Sequence, residues 1–146
     1  MSLADIGYSG TPLPKKLGLK PGQSVAFVNL PGELSALAEA EPFAAAAKAH
    51  GGEQLPSDLD LVHAFYIGDS DFRADLPALK SSIKQNGSIW ISWPKKAAQV
   101  PTDLTEDVIR DAALASGLVD VKVCAVSEVW SGLKLVIPVA ARAAAR

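Results

Sequence analysis

The apolar residues of this chain fall into two periodicities, and the periodicities predict the elements. Ser24–Leu30 is nearly continuously apolar, as expected of a strand covered on both faces. Asn29-Leu30-Pro31-Gly32-Glu33 then reads as a tight turn into a helix starting at about Gly32. Pro42 interrupts that helix, so two pieces are expected, the second carrying Ala44–Ala47 and ending at Gly51-Gly52. In Leu59–Ile67, the residues Leu59, Leu61, His63, Phe65 and Ile67 share one face of a strand. Phe72, Leu76, Leu79 and Ile83 recur at helical spacing and predict an amphipathic helix over residues 71–85, with Pro77 shortening or kinking its start. Asn86-Gly87 is expected to end that helix before a strand at residues 88–93. Asp103-Leu104-Thr105-Glu106 has the spacing of a capping box, with Asp103 at the start of a helix over residues 104–116. Two alternating stretches follow, Val119–Ala125 and Gly132–Ile137. Their short connection, Ser127–Ser131, allows an antiparallel hairpin and is too short for a parallel crossover.

The order β-α-(α)-β-α-β-α-β-β predicts an α/β fold: a small, mainly parallel Rossmann-like sheet, helices on both faces and a C-terminal antiparallel hairpin. At 146 residues the chain is expected to be a single domain. Residues 1–22 read as an N-terminal arm, with a short basic helix at Thr11–Leu17, and residues 140–146 as a fraying tail.

The densest run is Ser88–Trp93, which stops at Pro94 and delivers Lys95 and Lys96. In open α/β sheets ligands bind at the carboxyl ends of the strands. Lys95 and Lys96, with Asn29 at the end of the first strand and Thr102 in the following loop, therefore form a candidate anion site, and Trp93 offers it an apolar wall. Each also has a plainer reading: solvated loop lysines, a packed strand-end tryptophan, and helix-capping roles for Thr102, Asp103 and Glu106. Trp90 and His63 sit mid-strand and read as core, and His50 suits a helix C-terminus. Trp130 either folds back over the sheet or marks a contact surface.

Composition narrows the function. A formal net charge of −2 gives no footprint for nucleic acid. One cysteine, Cys124, precludes an intrachain disulfide and fits a reducing compartment, the cytoplasm. Cys124 and two isolated histidines have no metal-ligand spacing, so no metal is expected. No apolar run reaches the ~20 residues of a membrane helix, and Met1–Asp5 does not open a signal peptide.

Two resemblances add to this. Trp93-Pro94-Lys95-Lys96, residues 102–107 (TDLTED), residues 117–126 (GLVDVKVCAV), Trp130–Lys134 and Tyr8–Leu13 together resemble a family of small bacterial proteins known only as a domain of unknown function. That resemblance spans nearly the whole chain and implies no activity. More distantly, residues 19–25 (LKPGQSV), Asp60-Leu61-Val62, Leu79 and residues 84–89 (KQNGSI) are similar to the entry, central strand, helix and next strand of S-adenosylmethionine-dependent methyltransferases. The departures count against the cofactor. That family uses a glycine-rich loop, whereas Asn29–Glu33 has one glycine and a proline. The segment from residue 50 to 58 is too short for another βαβ unit, so the second and third strands of that fold are expected to be largely missing, with Glu53 or Asp58 a poor substitute for its ribose-binding acid.

The expectation is a trimmed methyltransferase-like fold acting as a non-catalytic binding or regulatory module. It would take no cofactor, and its ligand would be a small anion or a protein partner. The rivals are a small methyltransferase with a reduced cofactor site, and a structural protein that dimerises through the C-terminal hairpin.

Overall fold

A computed structural model of the chain describes residues 11–142. Residues 1–10 of the expected arm and 143–146 of the expected tail lie outside the described residues. The strands are β1 (Ser24–Val28), β2 (Ala45–Ala49), β3 (Leu59–Phe65), β4 (Ile83–Pro94), β5 (Val119–Ala125) and β6 (Trp130–Val136). The helices are α1 (Leu13–Leu17), α2 (Asp69–Ser82) and α3 (Glu106–Ala115). One six-stranded sheet has the order β2-β1-β3-β4-β6-β5. The first four strands in that order run parallel; β6 is antiparallel to both β4 and β5. The α/β architecture with its C-terminal hairpin is the one the alternation predicts.

Both sheet faces are covered. On one, α2 and α3 bury Phe72, Leu76, Leu79 and Ile109 against Val62, Ala64, Ile89, Ile91 and Leu135. On the other, Leu13 and Leu17 of α1 join Phe27, Phe65 and Trp90. The Trp90 indole N–H donates to the Leu17 carbonyl at 2.9 Å and fixes α1 to the sheet. Burying both faces explains why β1, β3 and β4 lack polar alternation.

Several boundaries differ from expectation, each for a physical reason. The expected helix after β1 is a 3-10 helix, Gly32–Glu39, and its expected second piece is instead β2. Pro42 prevents the helix from continuing. The alanines then pair in parallel with β1, Ser24 opposite Ala45 through Val28 opposite Ala49. The free ladder of β1 thus overrides alanine's helix propensity. A second strand is therefore present, and the expectation that it was largely missing is corrected.

The helix expected over 71–85 ends at Ser82, and β4 begins at once with Ile83. Asn86-Gly87 is a bulge inside β4 rather than a turn before it. Leu59 pairs with Ile83 while Leu61 pairs with Ser88, so the intervening residues bow out of register. Gly87 is required there, because a Cβ would stand 2.8 Å from the Leu59 carbonyl oxygen.

The capping box is also corrected. The N-cap of α3 is Thr105, whose hydroxyl accepts from the Val108 N–H at 3.2 Å. Asp103 instead reaches across to α2 and accepts from the Asp69 N–H at 2.7 Å. At the C-terminus, Val139–Ala141 form a 3-10 turn. No helix among the described residues is long and apolar enough to cross a membrane.

Candidate functional site

Depressions open at the carboxyl ends of the parallel strands, and two of them divide the predicted site residues between them. The first is a cleft of about 460 Å3 beyond β1, β2 and β3, lined by Asn29, His50, Gly51, Gly52, Tyr66, Asp71, Ala74 and Asp75. Asn29 directly follows β1 in the left-handed region (φ 56°), where asparagine is among the few non-glycine residues tolerated. Its side-chain amide donates to the Phe65 carbonyl at 3.0 Å, and its side-chain oxygen accepts from the Gly51 N–H at 2.9 Å. Its backbone N–H donates to the Ala49 carbonyl at 2.9 Å. Asn29 therefore ties together the ends of β1, β2 and β3.

The acidic wall of this cleft is also engaged. The Tyr66 hydroxyl donates to Asp75 Oδ2 at 2.7 Å, and the Gly52 N–H donates to Asp75 Oδ1 at 3.1 Å. Burial, then the Asp75 carboxylate, hold the Tyr66 hydroxyl well above its ordinary pKa, so it stays a donor. The placement of His50 is corrected: it follows strand β2, not a helix. Glu53, four residues past the end of β2, turns its carboxylate back onto the His50 N–H.

A glycine-rich loop is needed so that backbone can approach a ligand closely. In the turn after β1 the Asn29 side chain is engaged with Phe65 and Gly51, its N–H is committed to Ala49, and Pro31 has no N–H to offer.

The second depression is a groove of about 470 Å3 beyond β4, lined by Trp93, Pro94, Lys96, Val100, Thr102, Leu104, Thr105 and Glu106. Trp93, Lys96 and Thr102 line it together. Asn29 belongs to the other cleft, and Lys95 is not among the groove's lining residues. Lys95 is half-exposed and its backbone N–H donates to the Val129 carbonyl at 2.7 Å. Lys96 is exposed, and neither lysine makes an ion pair among the described residues. Trp93 is only 7% exposed and packs into the α2/α3 core. The Thr102 hydroxyl donates to the Ile67 carbonyl at 2.6 Å and accepts from the Leu104 N–H at 3.1 Å. With its single proton committed, it shapes the loop instead of donating to a ligand. Glu106 is paired with Arg110, which also binds Asp107 and Asp120.

Trp130 folds back over the sheet and meets Phe65 edge-on, with ring centroids 5.3 Å apart. His63 is core, stacked on Phe65 at 4.2 Å with Nε2 2.6 Å from the Ser92 hydroxyl oxygen. No group of three or more His, Cys, Asp or Glu side chains among the described residues is placed to hold a metal ion. Sequence reasoning missed Tyr66, Asp71 and Asp75. Their signal was available: Tyr66 is the first residue past β3, and Asp71 and Asp75 are four apart at the start of α2, on one helical face.

Comparison with solved structures returns methyltransferases. A S-adenosylmethionine-dependent methyltransferase from Aquifex aeolicus aligns with a TM-score of 0.63 at 16% identity, over 84% of this chain and 86% of that one. Magnesium protoporphyrin IX methyltransferase from Synechocystis aligns with a TM-score of 0.58 at 17% identity, over 80% and 70%. The pyocyanin biosynthetic protein PhzM aligns with a TM-score of 0.64 at 16% identity over 90% of this chain, which spans only 53% of PhzM. At such identities the likeness is one of fold, and the fold is methyltransferase-like. Comparison with curated proteins returns no match. Residues 15–139 match the family described as protein of unknown function (DUF3052), and the chain belongs to that family.

Proposed function

We propose that this protein is a non-catalytic binding or regulatory module built on a methyltransferase-like fold. The observation that carries this reading is the Asn29 clamp. The residue that should leave room for a cofactor instead bridges the Phe65 carbonyl and the Gly51 N–H. The proposed ligand site is the Trp93–Lys96–Thr102 groove. Its walls, Trp93, Pro94, Val100 and Leu104, are apolar, and Lys96 sets one cation among them. The first turn of α3 abuts the same space with Thr105 and Glu106. That combination suits a small anion with an apolar body. Cys124, unpaired, fits a reducing compartment such as the cytoplasm.

Calorimetric titration tests the first half of this reading. S-adenosylmethionine should show no binding tighter than ~1 mM, about −4 kcal/mol. A second reading, a small methyltransferase with a reduced cofactor site, draws on the open acidic cleft beside Asp71 and Asp75. Saturable micromolar binding that Asp75→Asn weakens would select that second reading and overturn the first. The groove is tested separately: small aromatic carboxylates should perturb Trp93 fluorescence in the native chain and not in Lys96→Ala.

A further inference from the structure

On the sheet face that α1 covers, away from both depressions, lysines gather that pair with no carboxylate among the described residues. Lys122 of β5 and Lys134 of β6 are direct partners in the antiparallel ladder, so their side chains leave the same face. Like charges placed directly opposite each other destabilise a sheet. Lys134 is also the partner of Trp90 across β4, which places it towards the middle of the sheet, where it is half-buried. The Lys122 ammonium is held by the Lys16 carbonyl at the end of α1, at 3.0 Å. Lys20 follows α1 and adds its charge: burial, then Lys122 and Lys20, lower the pKa of the Lys134 ammonium. No carboxylate among the described residues pairs with Lys20, Lys122 or Lys134.

We propose that Lys20, Lys122 and Lys134 form a binding site for a small phosphate-bearing anion on the α1-covered face of the sheet. Lys122 and Lys134 are brought together by strand pairing, and Lys20 comes from the segment after α1, whose Lys16 carbonyl holds Lys122, so the charges reach one face by folding and not by a run of sequence. A phosphoryl group carries more than one negative charge at neutral pH and three acceptor oxygens, one for each ammonium. A carboxylate has one charge and two oxygens and would leave an ammonium unanswered. Binding would convert the Lys122–Lys134 repulsion into shared attraction to one ligand, and would return Lys134 towards its ordinary pKa.

Cys124 supplies a reporter. It is the chain's single cysteine, two residues along β5 from Lys122 and half-buried; burial raises the pKa of its thiol, and Lys16 and Lys122 oppose that rise. An anion seated among the lysines would withdraw that cationic support from the thiolate and shield the sulfur. The experiment follows alkylation of Cys124 by neutral iodoacetamide in the full chain, with pyrophosphate as the probe and ionic strength held constant with chloride. At ~10 times the dissociation constant, protection approaches tenfold, so a slowing of at least about threefold is expected. Lys134→Met and Lys122→Met should react at a rate that pyrophosphate leaves unchanged. Lys20→Met, at an exposed position where substitution leaves the fold intact, should lose at least about half of the protection. Lys96→Ala, in the groove beyond β4, should be protected like the native chain. The proposal is overturned if pyrophosphate leaves the native rate unchanged, if the three methionine variants are protected as well as the native chain, or if only Lys96→Ala loses protection.

Discussion

Burial decides the protonation state of His63. The ring is fully buried, stacked on Phe65 and bonded through Nε2 to Ser92, and burial pushes its pKa down to about 3. In the unfolded chain the same group titrates at about 6.5. Between those values the unfolded state takes a proton that the folded state refuses. Stability is therefore unaffected by His63 at neutral pH and falls as the pH drops below about 6.5, with the loss levelling off below about 3. The slope contributed by this one residue should approach 1.4 kcal/mol per pH unit, about the value of a single proton. Urea unfolding at pH 7 and pH 5 checks this. The double variant His63→Leu with Ser92→Ala should lose less stability over that interval than the native chain, and equal losses would show that His63 is not the acid-sensitive group. Asn29 makes a second case. Asn29→Gly keeps the positive φ that the turn needs and removes only the two side-chain hydrogen bonds. It should cost about 1–2 kcal/mol, the usual value for losing such bonds. Unchanged stability would mean that Asn29 does not clamp the strand ends and that the cleft is open to a ligand.

Elements were legible where one physical signal dominated. The apolar runs of β1, β3 and β4 announced a sheet buried on both faces, and the 3.6-residue spacing of Phe72, Leu76 and Leu79 announced α2. β2 was not legible, because alanine prefers helix and the strand is specified by the ladder of β1 rather than by its own side chains. The same reason hid the lysine pair: Lys122 faces Lys134 only through a register that includes a shift between Asp120 and Lys122. Of the candidate site, Trp93, Lys96 and Thr102 were legible from the rule about strand ends. Asn29 was named from its place at the end of the first strand, but its clamp was not legible, because its hydrogen bonds reach residues far along the chain. Two substitutions test elements. Gly87→Ala would force a Cβ to 2.8 Å from the Leu59 carbonyl and 2.9 Å from the Ile83 Cβ, and should cost about 1–3 kcal/mol, as overpacking does. Asp103→Ala should cost about 1 kcal/mol, the scale of a lost helix cap. Because Asp103 binds the Asp69 N–H, amide exchange should quicken in the first turn of α2 and not in that of α3. Faster exchange at the start of α3 would restore the capping box read from the sequence.

At the scale of the molecule, the described residues form two apolar layers separated by one sheet. Leu17 lies in one and Ile109 in the other, each almost completely buried. The strands between them belong to both layers: alternate residues of β3, Leu61 and Phe65 against Val62 and Ala64, point into opposite cores. Neither layer can be lost without stripping one face of every central strand. Trp90 strengthens the link, since it lies in β4 and its indole N–H holds the end of α1. The two layers should therefore unfold together in one cooperative transition. Leu17→Ala and Ile109→Ala should each cost about 2–5 kcal/mol, the range for cavities left by such truncations. In both variants, far-ultraviolet circular dichroism and tryptophan fluorescence should report one coincident urea transition, moved to lower concentration. If Leu17→Ala instead gave an early fluorescence change with helix content retained, α1 and its layer would be a separable unit and the sheet would not couple the two cores.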